Sequence, residues 1–328
     1  MSFTQRLDRL QRRFPGVGFP IAVAYKYADD FGGYLAALMA YYAFVSLFPL
    51  LLLLTTVLGI VLSGNASLEH RIETSALRQI PVVGDQLGHP HSIGGGTLGL
   101  VIGILGSLYG ALGVAQAAQH AMNTAWAVPR NNRPNPLKGR GRSLALLATA
   151  GLALLGTTVL STLSGSNAGA LGTVMKGVLL IGSVLLNAII FVFVFKVATA
   201  RRLTVREVAP GAVIGAVAWQ LLQTFGVAYV DHVVKNASAT NSVFALVLGL
   251  LAFLYLTATV VVVCVEINVV KVDRLHPRAL LTPFTDNVEL TRGDERSYTG
   301  QAEAQRSKGF ETIEVSYDPA HIEDDPQR

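Results

Sequence analysis

The residues best able to do chemistry in this sequence are a few polar side chains set inside long apolar runs. Glu266 and Asn268 fall in the run from Val243 to Val270, and Lys196 lies near the end of the run from Val174 to Ala198. Gln116, Gln119, His120 and Asn123 follow one another at i, i+3, i+4 and i+7, a spacing that puts all four on one side of a helix. Such groups are costly in apolar surroundings, so they face a bundle interior or a wet cavity. There a carboxylate can bind a proton or a cation, and amides can hold the polar part of a solute or lipid. The structural alternatives are that each amide bridges neighbouring helices and that Glu266 pairs with Lys196 or a loop arginine. His120 taken alone fits a hydrogen-bonded bridge better than a metal ligand or a proton relay. Asn187, Gln220 and Gln223 sit nearer the middle of their runs.

Signatures of an enzyme are missing. His89-Pro-His91 is the only close histidine pair, with no His/Asp cluster of dinuclear type beside it. No GxxxxGK[ST] loop and no Gly-x-Ser-x-Gly elbow occur. Gly94, Gly95 and Gly96 precede an apolar run and not a βαβ unit. The expectation is therefore no catalytic residue, no metal, no cofactor and no enzymatic activity. The single cysteine, Cys264, cannot form an intrachain disulfide.

The elements that position these residues follow from hydropathy. Half of the 328 residues are hydrophobic, only 14% are charged, and the mean hydropathy is +0.47, a balance foreign to water-soluble domains of this size. A bilayer core of about 30 Å takes roughly 20 helical residues. Six runs are that long: Tyr34 to Leu62, Ile93 to Ala118, Ser143 to Leu163, Val174 to Ala198, Val208 to Val230 and Val243 to Val270. They are continuous and not alternating, which predicts helices over barrel strands. The net charge of +5 could suggest nucleic acid, but the Lys and Arg residues cluster beside the runs. Twenty-two of them fall before the first run, in the second and fourth connections and in the tail, against four in the other connections. That asymmetry predicts an all-α, polytopic membrane protein, a bundle of six transmembrane helices with cytoplasmic N- and C-termini, with no nucleic acid as partner.

Three organisational units are expected. Residues 1–30 form a basic cytoplasmic leader in which Phe3, Leu7, Leu10 and Phe14 recur at helical spacing, so it either lies on the anionic leaflet or is solvated. Residues 31–275 form the transmembrane domain, and residues 276–328 a cytoplasmic tail. From Asp286 onward the chain holds 11 of the 21 acidic residues, and from Thr282 it shows no helical or strand period, which predicts disorder. Ser67 to Ile80 reads as a short amphipathic helix on the outer surface.

Two features concern packing. Gly99, Gly103, Gly106, Gly110 and Gly113 step by four, three, four and three along the second run, so one face is smooth enough for another helix backbone to approach closely. Pro49 interrupts the first run, removes one backbone hydrogen bond and predicts a kink.

The stretch Tyr41-Tyr42-Ala43-Phe44-Val45-Ser46-Leu47-Phe48-Pro49-Leu50, the Gln119 to Trp126 region with Asn123, Pro210-Gly211-Ala212 leading to Trp219, and the last run from Phe244 through Gly249, Leu254 and Tyr255 to Glu266 and Asn268 together resemble the YihY/BrkB family of bacterial inner-membrane proteins. The likeness covers about Asp30 to Lys271. It implies a six-helix membrane fold with cytoplasmic termini in a bacterial inner membrane. Members have carried ribonuclease, virulence-factor and transporter labels, and nothing in this sequence supplies a catalytic set for RNA cleavage. Ser242-Val243-Phe244-Ala245-Leu246 stands where members typically show a Tyr-Gly pair. Cys264-Val265-Glu266 stands where Gly-Ala-Glu is common, which predicts looser helix packing there while keeping Glu266. The functional expectation is a transporter or lipid-handling protein, its partners membrane lipid and a small-molecule or lipid substrate. Gln116, Gln119, His120, Asn123, Lys196, Glu266 and Asn268 would line a polar cavity open to the cytoplasm. A scaffold acting through the tail is the alternative.

Overall fold

A computed structural model describes residues 8, 11–12, 14–61, 96–164, 170–235, 242–280 and 288–322. His89, His91, the Ser67 to Ile80 segment and Phe3, Leu7 and Leu10 of the leader lie outside the described residues. Among the described residues there are eight α-helices: α1 (Pro15–Asp29), α2 (Gly32–Val61), α3 (Gly96–Ala125), α4 (Pro136–Ser164), α5 (Ala170–Ala198), α6 (Val205–Lys235), α7 (Ser242–Val272) and α8 (Arg292–Ala304). The only β pairing among them is an isolated bridge between Leu290 and Ile322.

Helices α2 to α7 are each 29 to 31 residues long, and each carries one of the six apolar runs. Successive helices pack side by side from α2 to α7, and α7 returns to touch α2, α3 and α1, closing the bundle. Within the described residues three helical stretches are long and apolar enough to cross a membrane: Val101–Ala125, Leu180–Ala198 and Val247–Val272. Only 11 to 28% of their most apolar windows is buried inside the protein. Side chains such as Ile102, Leu105, Leu185, Ile189, Leu248 and Leu256 point outward and are exposed. Water would oppose that arrangement by about 25 cal/mol for each Å² left uncovered; hydrocarbon accepts it.

The tightest contact joins α2 and α3, and small residues make it. A Cβ at Gly110 would lie 2.6 Å from the Ser46 Cα, one at Gly113 would lie 2.2 Å from the Tyr42 ring, and one at Gly106 would meet the Pro49 ring at 2.7 Å. Gly103 is buried on the same helix, and Gly99 lies in its first turn. Helix α2 runs on through Pro49, whose ring fills the space that Gly106 leaves.

Packing between α6 and α7 is also close, contrary to what the Cys264 departure predicts. Gly211 of α6 sits against the Cys264 carbonyl, and a Cβ at Gly215 would lie 3.5 Å from the Cys264 Sγ. The smooth surface is supplied by the opposite helix.

The larger apolar core lies at one end of the bundle. It joins Ala22 and Val23 of α1, Met122 and Trp126 at the end of α3, Phe195 and Ala198 at the end of α5, Leu203, Val208 of α6, and Val269 and Leu275 around the end of α7. Two helix ends there close by the same device. Ala127 (φ 47°) follows α3 and Arg274 (φ 54°) follows α7, each in the left-handed region. The Val128 N–H then donates to the Asn123 carbonyl (2.8 Å) and the Leu275 N–H to the Val270 carbonyl (3.1 Å). Arg201 ties the α5–α6 connection to Asp273 through bonds of 2.9 and 3.0 Å and stands 4.9 Å from the Trp126 ring centroid.

Disorder does not describe the tail over residues 292–304. Thr291 caps α8 by accepting from the Asp294 N–H while the Asp294 carboxylate accepts from the Thr291 N–H, and Gly293, Asp294, Ser297 and Ala304 are buried. Order comes from polar contacts and not from an apolar stripe, which is why hydropathy does not reveal it.

Candidate functional site

The seven polar residues named from sequence meet different surroundings in the structure. Gln119, Asn123 and Asn268 join helices. Gln119 Nε2 donates to Ser143 Oγ (2.9 Å) and to the Gly139 carbonyl (3.2 Å), linking α3 to α4. Asn123 Oδ1 accepts from the Ala200 N–H (2.7 Å) beyond the end of α5, and Asn268 Oδ1 accepts from the Gly211 N–H (2.7 Å) in α6. Gln116, His120 and Lys196 are exposed. The four α3 residues span about 100° of circumference, and only the part that α4 and α5 cover is buried. His120 Nδ1 lies 3.3 Å from Arg133 Nη1, in the later part of the α3–α4 connection. Asn187 is buried, and Ser183 Oγ donates to Gln220 Oε1 (3.4 Å), joining α5 to α6.

Glu266 is different. It is 0% exposed, and the cation beside it is Lys26 of α1, with Nζ 3.8 Å from Oε2, and not Lys196. Neither Glu266 oxygen accepts a hydrogen bond among the described residues. Lys26 stands in the last turn of α1, where a sharp corner brings it under the bundle. That corner runs through Asp30 and Phe31 (φ 55°) into Gly32, whose missing Cβ makes room for the Tyr27 ring. The Lys26 ammonium donates to Asp30 and to the Ala125 carbonyl (3.1 Å), the last residue of α3, where the helix dipole favours a cation. One ammonium thus joins α1, α3 and α7.

The electrostatics follow from the count of groups. Two buried carboxyls face one ammonium, so the trio is neutral only when it holds one proton. Burial raises the Asp30 carboxyl above its ordinary range, although Lys26 opposes the shift. Burial alone would lower Lys26, but the Glu266 and Asp30 carboxyls outweigh it and hold the ammonium protonated. The arrangement can take up and release a proton at a helix that enters the apolar layer.

A second buried cluster braces the first. Arg278 is fully buried after α7; it donates through Nε to Asp294 of α8, through Nη2 to Asp29 (3.0 Å) and through Nη1 to Ser297 (3.2 Å). Burial would lower its pKa, yet Asp294 and Asp29 raise it. Gln11 donates to the Arg278 carbonyl, and Asp8 accepts from the Leu280 N–H (2.9 Å), so the leader and the tail pack together. Gln301 of α8 reaches Asp30 at 3.5 Å. Sequence reasoning missed Lys26, Arg278 and Asp294. The Thr291-x-x-Asp294 spacing, a capping-box pattern, is a local signal from which the start of α8 could have been read.

A family model described as Virulence factor BrkB matches residues 23–284. The chain belongs to the BrkB family. No curated protein and no solved structure matches it. With its outward-facing apolar helices, this BrkB-family chain is a membrane protein. The stretch that matches the BrkB family holds Lys26, Asp30, Glu266 and Arg278, and it ends before α8.

Proposed function

We propose that this protein is a proton-linked transporter or lipid-handling protein of a bacterial inner membrane, not an enzyme, in which Lys26, Asp30 and Glu266 form the proton-bearing centre. The observation that carries the reading is the fully buried Glu266 sharing one ammonium with a second carboxyl at the end of an apolar helix. Ionisable groups so placed are expensive and mark substrate or proton paths. A scaffold acting through its tail has no use for such a centre.

Glu266→Gln keeps the shape and leaves Lys26 paired with Asp30, so the variant is expected to insert and melt like the parent. In liposomes carrying a fluorescent anionic phospholipid, it is expected to lose at least about tenfold of any leaflet-to-leaflet transfer the parent supports. It is also expected not to complement a strain lacking the protein. Full complementation by the variant removes Glu266 from the mechanism and favours the scaffold.

The bundle is proposed to span six times with both termini inside. In support, the segments rich in Lys and Arg, around Val128, Leu203 and Leu275, meet in one core at one end. In a Cys264-free background, cysteines at His89 and Ala237 are expected to react with an impermeant reagent from outside, and those at Asn132 and Thr204 not to react. The reverse pattern would invert the orientation.

A further inference from the structure

Helix α1 lies outside the six apolar runs, and its two sides are the reverse of what water asks of a surface helix. Its charged residues are turned toward the protein: Lys26 is 2% exposed and the Asp29 side chain 11%. On the opposite side Val17, Pro20, Ala24 and Ala28 follow at intervals of three, four and four residues, within about 80° of the circumference, and all four are exposed. Phe14 precedes them and Phe31 follows them, both exposed. No charged residue of α1 is among the exposed ones. The helix climbs beside α7, from Phe19, whose ring meets the His276 ring edge-on at 5.5 Å, to Lys26 beside Glu266, ten positions earlier in the sequence. At the corner the Phe31 ring stands 6.1 Å from that of Tyr34, and the outward side continues on α2 as Tyr34, Leu38 and Tyr41, spaced by four and three and all exposed.

We infer that the outward side of α1 is a lipid-contact surface, sunk obliquely into the edge of the bilayer so that Val17, Pro20, Ala24 and Ala28 meet lipid between the rings of Phe14 and Phe31, more deeply toward Phe31. Continuity decides the occupant, because the stripe runs without a charged break onto α2, whose apolar stretch Gly32–Leu47 carries the first long run. A helix facing water would turn Lys26 and Asp29 outward; here Lys26 is committed to Asp30 and Glu266, and Asp29 to Arg278. An ordinary interfacial helix offers a basic face to headgroups and water. Helix α1 has no such face, so the contact is apolar and owes nothing to anionic lipid. The same orientation puts lipid on one side of α1 and the Lys26–Asp30–Glu266 centre on the other, which makes the helix a wall between them. The inference does not depend on transport, since contact with lipid is read without flux.

The test uses the full-length protein with Cys264→Ala, reconstituted in phosphatidylcholine vesicles, with one nitroxide label at a time on Val17→Cys, Ala24→Cys or Ala28→Cys. Leu185→Cys on the exposed side of α5 and Lys308→Cys in the tail are the lipid and water references. Collision of each label with oxygen, which concentrates in hydrocarbon, is compared with collision with a water-soluble nickel chelate. At Ala24 and Ala28 the oxygen-to-nickel ratio is expected to approach that at Leu185 and to exceed that at Lys308 at least about fivefold, with Val17 between the two references. Adding phosphatidylglycerol is expected to leave the ratios unchanged. Nickel access at Ala24 and Ala28 equal to that at Lys308 overturns the inference in favour of a solvated helix. Little collision with either reagent overturns it in favour of a protein cover, a second copy or another part of this chain. Ratios that rise only with phosphatidylglycerol overturn it in favour of electrostatic attachment. Should the labelled variants not fold, a diazirine-tailed phosphatidylcholine photocoupled to the unaltered protein is expected to leave adducts within residues 14–31, and adducts on α5 with none in that stretch would refute the contact.

Discussion

Arg278→Leu is expected to be the most damaging single substitution in the part of the protein outside the apolar layer. The guanidinium is fully buried among Asp294, Asp29 and Ser297, and Asp294 is itself 0% exposed. Removing one partner of a buried pair leaves the other charge stranded, which costs about 3–5 kcal/mol. The cost falls on α8, because Asp294 also accepts from the Thr291 and Ala279 N–H groups and thereby anchors the helix. The variant should become sensitive to limited proteolysis between residues 288 and 322 while its apolar helices stay protected. Adding Asp294→Leu should recover part of the loss, since no lone carboxylate then remains. A variant that melts and resists protease as the parent does would show that α8 is held by something else. Cutting off the tail therefore removes part of a packed core, and does not cleanly separate a recruiting arm from a transport domain.

Gly211→Ala is expected to loosen the bundle itself. A methyl group there would stand 2.0 Å from the Cys264 carbonyl oxygen and 2.5 Å from Asn268 Nδ2. A backbone carbonyl cannot rotate away as a flexible side chain could, so α6 and α7 must part. Overpacking together with loss of the Gly211–Asn268 hydrogen bond sums to about 2–4 kcal/mol. Gly249→Ala in α7, where nothing lies within 4 Å of the added carbon, serves as the control and should be neutral. Equal melting temperatures for the two variants in detergent would refute the close contact.

The sequence made the long helices legible because length and hydropathy alone decide them: each of six apolar runs falls on one helix. The glycine face of α3 was legible for the same reason, since spacing fixes which residues share a side. What spacing cannot supply is which element folds over which. Glu266 stood out as a carboxylate in an apolar run, but Lys196, on a neighbouring run, is exposed, and the partner is Lys26, carried under the bundle by the corner at Phe31. The polar side chains of α3 divide by a subtler geometry. Gln116 and His120 share a helix side with Gln119 and Asn123, yet only the second two are buried, Gln119 against α4 and Asn123 against the residues that follow α5. Helix α8 was hidden because its order rests on one buried arginine outside its own span and on a cap, and neither leaves an apolar period.

The contact between Asp29 and Arg278 joins residues 249 positions apart, and Lys26 likewise waits for Glu266. During synthesis the charges of α1 leave the ribosome first, and their partners arrive only after the last apolar helix has been made. Until then the nascent chain displays Asp29 without its arginine, and Lys26 with Asp30 but without Glu266, beside newly inserted helices. A chain that stalls early, or fails to place α7, keeps that mark, and membrane quality-control proteases that sense polar groups beside unsealed helices have something to read. Completion of the polypeptide and concealment of its charges are thus one event.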